Sequence, residues 1–140
     1  MINVNKKSSG GGKVLNITIE GDPTPQSRPR FRRIGKFVST YDTLSKKKKE
    51  LGEVIKSQIK MKPIESPITM MLTFHMPIPK SIKGIEENDV HVKRPDIDNL
   101  AKYVLDMLNG IAYKDDNQIF ELNLLKTYSK RPRTEIIIIY

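Results

Sequence analysis

The chain has 140 residues, which at roughly 150 residues per domain leaves room for one domain; with 37% hydrophobic and 29% charged residues it lies outside the disordered class. Lysine and arginine number 25 against 16 acids, a net charge of +9, so polyanions are the first partners to consider. With no cysteine and two histidines, disulfides, iron–sulfur clusters, thiolate zinc and all-imidazole metal sites are excluded, and any metal must be held by oxygen.

Residues 1–12 are polar and glycine-rich and read as a flexible tail, leaving 13–140 as the folded domain. From 14 to 20, Leu15, Ile17 and Ile19 alternate with polar residues, the period of a half-buried strand. The stretch GDPTPQSRPRFRRIGK is a proline-broken, arginine-rich loop that opens into a short strand at 36–39. Between 42 and 61, Leu44, Leu51, Val54, Ile55 and Ile59 recur at helical spacing behind a cap at Asp42 or Thr43. Residues 68–76 alternate again as a core strand, with His75 as a structural residue. The segment 77–95 is a long proline-containing loop.

A second helix spans 98–108, burying Leu100, Ala101, Val104, Leu105 and Leu108, and Asn109-Gly110 stops it. After a turn at 114–117, Phe120, Leu122 and Leu124 alternate in a strand; residues 130–132 turn the chain into a last strand at 134–140. The order β-α-β-α-β-β is α+β: one mixed sheet with two main helices packed on it. No apolar run approaches the ~20 residues of a bilayer span, and the start lacks the apolar core of a signal peptide. A soluble cytoplasmic protein without a membrane partner is expected.

Four acids concentrate in this basic chain, in Arg94-Pro95-Asp96-Ile97-Asp98-Asn99 and in Asp115-Asp116. Taken singly, each segment has an ordinary reading as a helix cap or a turn. Inside a helix, positions i and i+2 point ~200° apart, so Asp96 and Asp98 converge only if Asp96 is extended, which Pro95 and Ile97 allow. If 112–114 runs back beside the helix start, Asp116 joins them. Three such carboxylates repel by about 4 kcal/mol per pair at 4 Å and an effective dielectric near 20, so an ionised cluster needs a cation, and oxygen ligands favour Mg²⁺ or Mn²⁺. Lys102, one turn after Asp98, is either its surface ion-pair partner or a cation placed to stabilise charge building on a phosphodiester.

At these residues the sequence resembles the RusA family of Holliday junction resolvases, endonucleases of phage and prophage origin that cut four-way DNA junctions. The resemblance rests on RPDIDNLAKYVLDMLNG followed by AYKDDNQI, with the basic GDPTPQSRPRFRR segment upstream. It implies the RusA-like fold, catalytic and metal-binding roles for Asp96, Asp98 and Asp116, an essential role for Lys102 and a secondary one for Asp115. It further implies Mg²⁺ dependence with Mn²⁺ as a substitute, a homodimer, and paired nicks placed symmetrically across a branched DNA substrate during recombination and repair. The 80–94 loop and the glycine-rich start depart from the family pattern.

A nuclease must also hold the backbone it cuts. Arg28, Arg30, Arg32 and Arg33 lie within six residues around Phe31, which either stacks on an unpaired base or tucks into the core. Lys93 and Arg94 flank the acidic motif and complete the candidate DNA-binding set, whereas the run Lys46 to Lys49 reads as a solvated face. A non-catalytic nucleic-acid-binding module is the alternative, in which the aspartates are caps and turns; a structural partner in an RNA–protein particle leaves Asp-x-Asp-Asn unexplained. The Ile136 to Ile139 run is apolar on both faces, enough either for a dimer interface or for burial under a helix.

Overall fold

The computed structural model describes residues 1–9, 12–27, 30–41 and 44–140, with backbone alone at 9, 30–32 and 38–41. Among them a five-stranded mixed sheet has the order β1-β2-β7-β5-β6, built from β1 (Ile2–Ser9), β2 (Gly12–Glu20), β5 (Ile68–Pro77), β6 (Ile119–Ser129) and β7 (Arg133–Ile139). A separate hairpin pairs β3 (Arg30–Ile34) with β4 (Phe37–Tyr41), and two helices, α1 (Ser45–Ile59) and α2 (Ile97–Leu108), complete a single α+β domain. All neighbours in the sheet run antiparallel except β5 and β6, which are parallel.

The register explains the isoleucine run. Ile136 stands opposite Ile17 and Leu72, and Ile138 opposite Leu15 and Met70; these six share one face and are buried. Onto that face pack Ile55 and Ile59 of α1 with Leu100, Ala101, Val104, Met107 and Leu108 of α2, forming one core. Ile137 and Ile139 alternate to the opposite face, beside Asn16, Met71 and Val14, and neither helix covers them. Burial under the helices therefore accounts for half of the run only.

Three elements differ from the sequence reading. Residues 2–9 are not a tail but strand β1, because Ile2 and Val4 pair with Ile19 and Ile17 and pack on the core. Two apolar residues in a polar stretch gave too weak an alternation to see. The Lys6 ammonium adds a hydrogen bond of 2.9 Å to the carbonyl of Ile59, where the helix end carries partial negative charge. The arginine-rich loop contains a full hairpin rather than one short strand, and β6 extends to Ser129, beyond the Phe120 to Leu124 alternation.

The expected α1 cap at Asp42 or Thr43 lies outside the described residues, and Leu44 occupies the N-cap position without a side-chain cap. The buried stripe of α1 is Gly52, Ile55 and Ile59, and Val54 turns outward. Gly52 sets the stripe: a Cβ there would meet Ile111 Cδ1 at 2.8 Å and the Met107 carbonyl at 3.2 Å, so the helix backbones approach only because position 52 has no side chain. Gly52→Val is expected to lower stability by about 1–3 kcal/mol through overpacking, read as a lower urea midpoint with unchanged m-value; an equal or higher midpoint would show that the contact relaxes freely.

Candidate active site

Parallel strands cannot be joined by a tight turn, so the chain leaving β5 at Pro77 crosses the core face before it enters β6. The first part of that crossing, the long loop, is stapled to the end of β6. Asn88 N–H donates to the Tyr128 carbonyl, Tyr128 N–H to that of Asp89, and His91 N–H to that of Lys126, at 2.9, 2.9 and 3.0 Å. Glu87 accepts hydrogen bonds from the Ser129 hydroxyl and the Lys130 amide; these bonds, the hydroxyl's first, hold its carboxyl below the usual range. The loop thus delivers residues 93–96 to one place at the carboxyl end of the parallel pair.

Asp96 is the N-cap of α2, extended at φ −68°, ψ 141°, and its side chain makes no capping hydrogen bond. This is the conformation the i, i+2 argument requires. Asp98 lies in the first turn. Both are exposed, and both line a cleft of about 640 Å³ with His91, Lys93, Arg94 and Lys126. Asp96 also borders an adjoining cleft of about 540 Å³ with Gln26, Arg94 and Asn99. Two carboxylates with uncommitted oxygens fit magnesium, a hard cation that takes one or two protein carboxylates and completes its shell with water and substrate phosphate.

Asp116 does not join them. Residues 112–114 run beside Ile64, through hydrogen bonds from Ile64 N–H to the Ala112 carbonyl and from Lys114 N–H to the Ile64 carbonyl, not beside the start of α2. The Tyr113 hydroxyl reaches back to the Leu105 carbonyl at 2.9 Å, so the turn docks on the later half of α2. Desolvation, then the hydrogen bond and charge of Asp115, then the charge of Asp106 raise the Asp116 carboxyl above its ordinary value. Asp106 is eight residues from Asp98, about 12 Å along the axis. Among the described residues no three acidic or histidine side chains form a metal-holding group, so the three-carboxylate convergence is not made. Asp115 caps the turn instead. Its side chain accepts from Asn117 N–H at 3.1 Å, and its own N–H donates to Gln118 Oε1 at 2.8 Å, a reciprocal pair of bonds.

Lys102 is exposed on the outer face of α2, one turn beyond Asp98. Asp106 pairs with Lys48 at 3.6 Å, so one lysine of the solvated run turns inward, where it also donates to Gln26 Oε1 at 3.0 Å and stands over the Tyr103 ring. Of the candidate DNA-binding residues, Lys93 and Arg94 are exposed at the cleft. Arg30, Arg32 and Arg33 belong to β3, and Arg28 lies outside the described residues. His75 is buried within 3.3 Å of Glu135, as a structural residue.

Two cleft residues escaped the sequence reading. His91 is buried, its ring 4.6 Å from that of Tyr128; burial, Lys126 and Lys93 push its pKa down. Lys126 donates to the carbonyls of Lys93 at 2.6 Å and Pro95 at 2.7 Å, tying the two residues that flank Arg94 to β6. Its signal was in the alternation: continuing Phe120, Leu122, Leu124 by one more step puts a lysine in the same series, opposite Phe74. His91 left no comparable pattern.

Two carboxylates in a cation-rimmed cleft on a small basic α+β domain are features shared with metal-assisted nucleases. The family profile described as Endodeoxyribonuclease RusA matches residues 20–139, and the chain belongs to this family. It is also 33% identical over 134 residues to the uncharacterized protein YqaN of Bacillus subtilis (strain 168), a match covering 89% of this chain and 94% of that protein.

The Lys126 clamp has a direct test. A hydrogen bond from a charged donor contributes ~1.5–3 kcal/mol, so Lys126→Met is expected to accelerate hydrogen exchange at the Leu100 and His91 amides about tenfold or more while the Leu72 amide holds. Unchanged exchange at both would show that backbone pairing alone fixes the segment.

Proposed function

We propose that the protein is a Mg²⁺-dependent, structure-selective endodeoxyribonuclease that resolves four-way DNA junctions by paired symmetric nicks in recombination and repair. The observation that carries this reading is the pair Asp96 and Asp98 lining one cleft, Asp96 without a capping bond, in a chain of the RusA family. Asp96 and Asp98 would hold the metal, with Mn²⁺ as a substitute; bound there it would supply charge neutralisation and a water of lowered pKa. Lys93 and Arg94 hold the phosphate backbone at the cleft mouth. Lys102 stabilises the negative charge that builds on the phosphate as the bond to the leaving oxygen breaks. On the family motif Asp116 is the third carboxylate; it stands on the turn beside Ile64, apart from the pair, and the pair alone would hold the metal here. The work is placed in the cytoplasm, where the DNA is; no helix among the described residues is long and apolar enough to cross a membrane.

Asp98→Asn is expected to abolish cleavage while binding of a branched substrate stays equal or tightens, since a charge repelling DNA is removed. More than a tenth of wild-type cleavage at saturating Mg²⁺ would remove the ligand role. Lys102→Ala is expected to slow the single-turnover step and spare binding, because one charge weighs little in a many-phosphate interface and much beside a transition state. Loss of binding with an unchanged rate would make Lys102 a phosphate contact.

Two symmetric nicks need two sites, and a two-fold dimer matches the junction. The helix-free sheet face, with Val14, Met71, Ile137 and Ile139 at its apolar centre, suits a self-complementary contact. On a supercoiled plasmid with an extruded cruciform, one nick releases the supercoil and destroys the substrate. Linear plasmid as the product is the expected outcome, together with a dimeric mass in solution. Nicked circles from a monomeric protein would overturn both the dimer and the resolvase reading.

A further inference from the structure

Among the described residues the β3–β4 hairpin pairs with no strand of the main sheet. Its strands are joined by Gly35 and Lys36, with Gly35 at φ +60°, a two-residue turn that demands glycine's left-handed freedom. The turn places Ile34 directly opposite Phe37 at the tip. Both are bare: Ile34 is 57% and Phe37 79% exposed. An apolar pair at the end of an arm is costly to leave in water unless something receives it.

The arm's charge states what that is. From residue 23 to 41 there is no acid, and Arg28, Arg30, Arg32, Arg33 and Lys36 surround the tip in sequence. Its root is fixed at the candidate site: Gln26 N–H donates to the Asn99 carbonyl in the first turn of α2, at 2.9 Å, and Gln26 borders the same cleft as Asp96. Strands of five residues give the hairpin a length of about 17 Å.

We propose that the hairpin tip is a wedge, with Phe37 and Ile34 entering the base stack at a DNA branch point while the arm's cations hold the flanking phosphates. This rests on the nuclease reading and deepens it by naming how a branch is told from a duplex. Inserting an apolar side chain requires unstacking a base step. In a continuous duplex that step is intact, whereas at a crossover it is already interrupted, so the same insertion is cheaper there. The preference arises from the state of the stack, needs no base-edge contact, and belongs to the tip rather than to the arm's charge.

The test uses the full-length protein in EDTA, which separates binding from cleavage, with a four-way junction carrying 2-aminopurine at the crossover and a duplex of the same sequence. Wild type is expected to favour the junction and to raise 2-aminopurine fluorescence. Phe37→Ala should lose the fluorescence gain and about tenfold of the junction preference, one aromatic stack's worth, with the salt slope of duplex binding unchanged; Phe37→Tyr should keep both. Arg33→Ala with Lys36→Ala should instead flatten the salt slope by roughly one to two units. Phe37→Ala with preference and fluorescence intact would overturn the wedge and leave the nuclease reading standing. A fall in the mass of the free protein on Phe37→Ala would overturn it in favour of a contact between copies. Wild type with no junction preference and no cleavage in Mg²⁺ would remove the reading beneath it.

Discussion

The parallel pairing of β5 with β6 is the constraint from which the rest of the structure follows. It forces a crossover, and the crossover must carry a helix over the core face to bury the sheet's apolar side. That helix, α2, supplies Leu100, Val104 and Leu108 to the core, so its position is fixed by packing that has nothing to do with chemistry. Its N-terminus then stands at the carboxyl end of the strand pair, where unpaired amide groups and the helix dipole favour anionic side chains. Two aspartates sit there because the fold creates a place for negative charge.

Fixing a helix does not by itself aim two carboxylates at one point. Asp98 follows the helix, whereas Asp96 depends on the path of the extended chain before it, and extended chain at a surface is soft. Lys126 and the backbone bonds at Asn88, Asp89 and His91 remove that freedom by holding 88–95 against β6. The acids of this loop serve the same end: Glu87 is spent on Ser129 and Lys130, and Asp89 accepts from the Glu86 amide at 2.9 Å. The Glu87 and Asp89 carboxylates are therefore engaged in holding the loop, and the cleft keeps the cations Lys93 and Arg94 at its rim. A metal site in a basic chain requires this local sorting of charge more than it requires a particular net charge.

What the sequence disclosed divides along the same line. Elements whose apolar residues repeat over several periods, β2, β5 and both helices, were legible because each buries one continuous face. Asp96 in extended backbone beside a helical Asp98 was also legible, since proline and the i, i+2 geometry leave no other way for the pair to converge. Strand β1 was hidden because it lies at the sheet edge and buries only Ile2 and Val4. Of the hairpin only the strand at 36–39 was legible; β3 was hidden because it lies in a cationic stretch whose pairing is internal to the arm. The path of residues 112–114 was hidden for a third reason: where a turn lands depends on a tertiary partner, here Ile64, which no local spacing encodes.

The arm and the acidic pair are held by one helix. Asn99, the residue that receives the Gln26 amide, immediately follows Asp98, and Lys48 ties Gln26 and Asp106 together from α1. A rigid element that carries both the carboxylates and the root of the arm proposed to contact DNA makes the separation of carboxylates and root a fixed length. On the proposed reading, a substrate seated on the arm would meet the carboxylates in register, and a substrate that is not seated there would be bound by charge alone, at any position along the backbone. Under the proposed wedge, charge would give such a protein affinity for every duplex and the tip its preference for a branch, while α2 would set where the carboxylates stand relative to the arm's root.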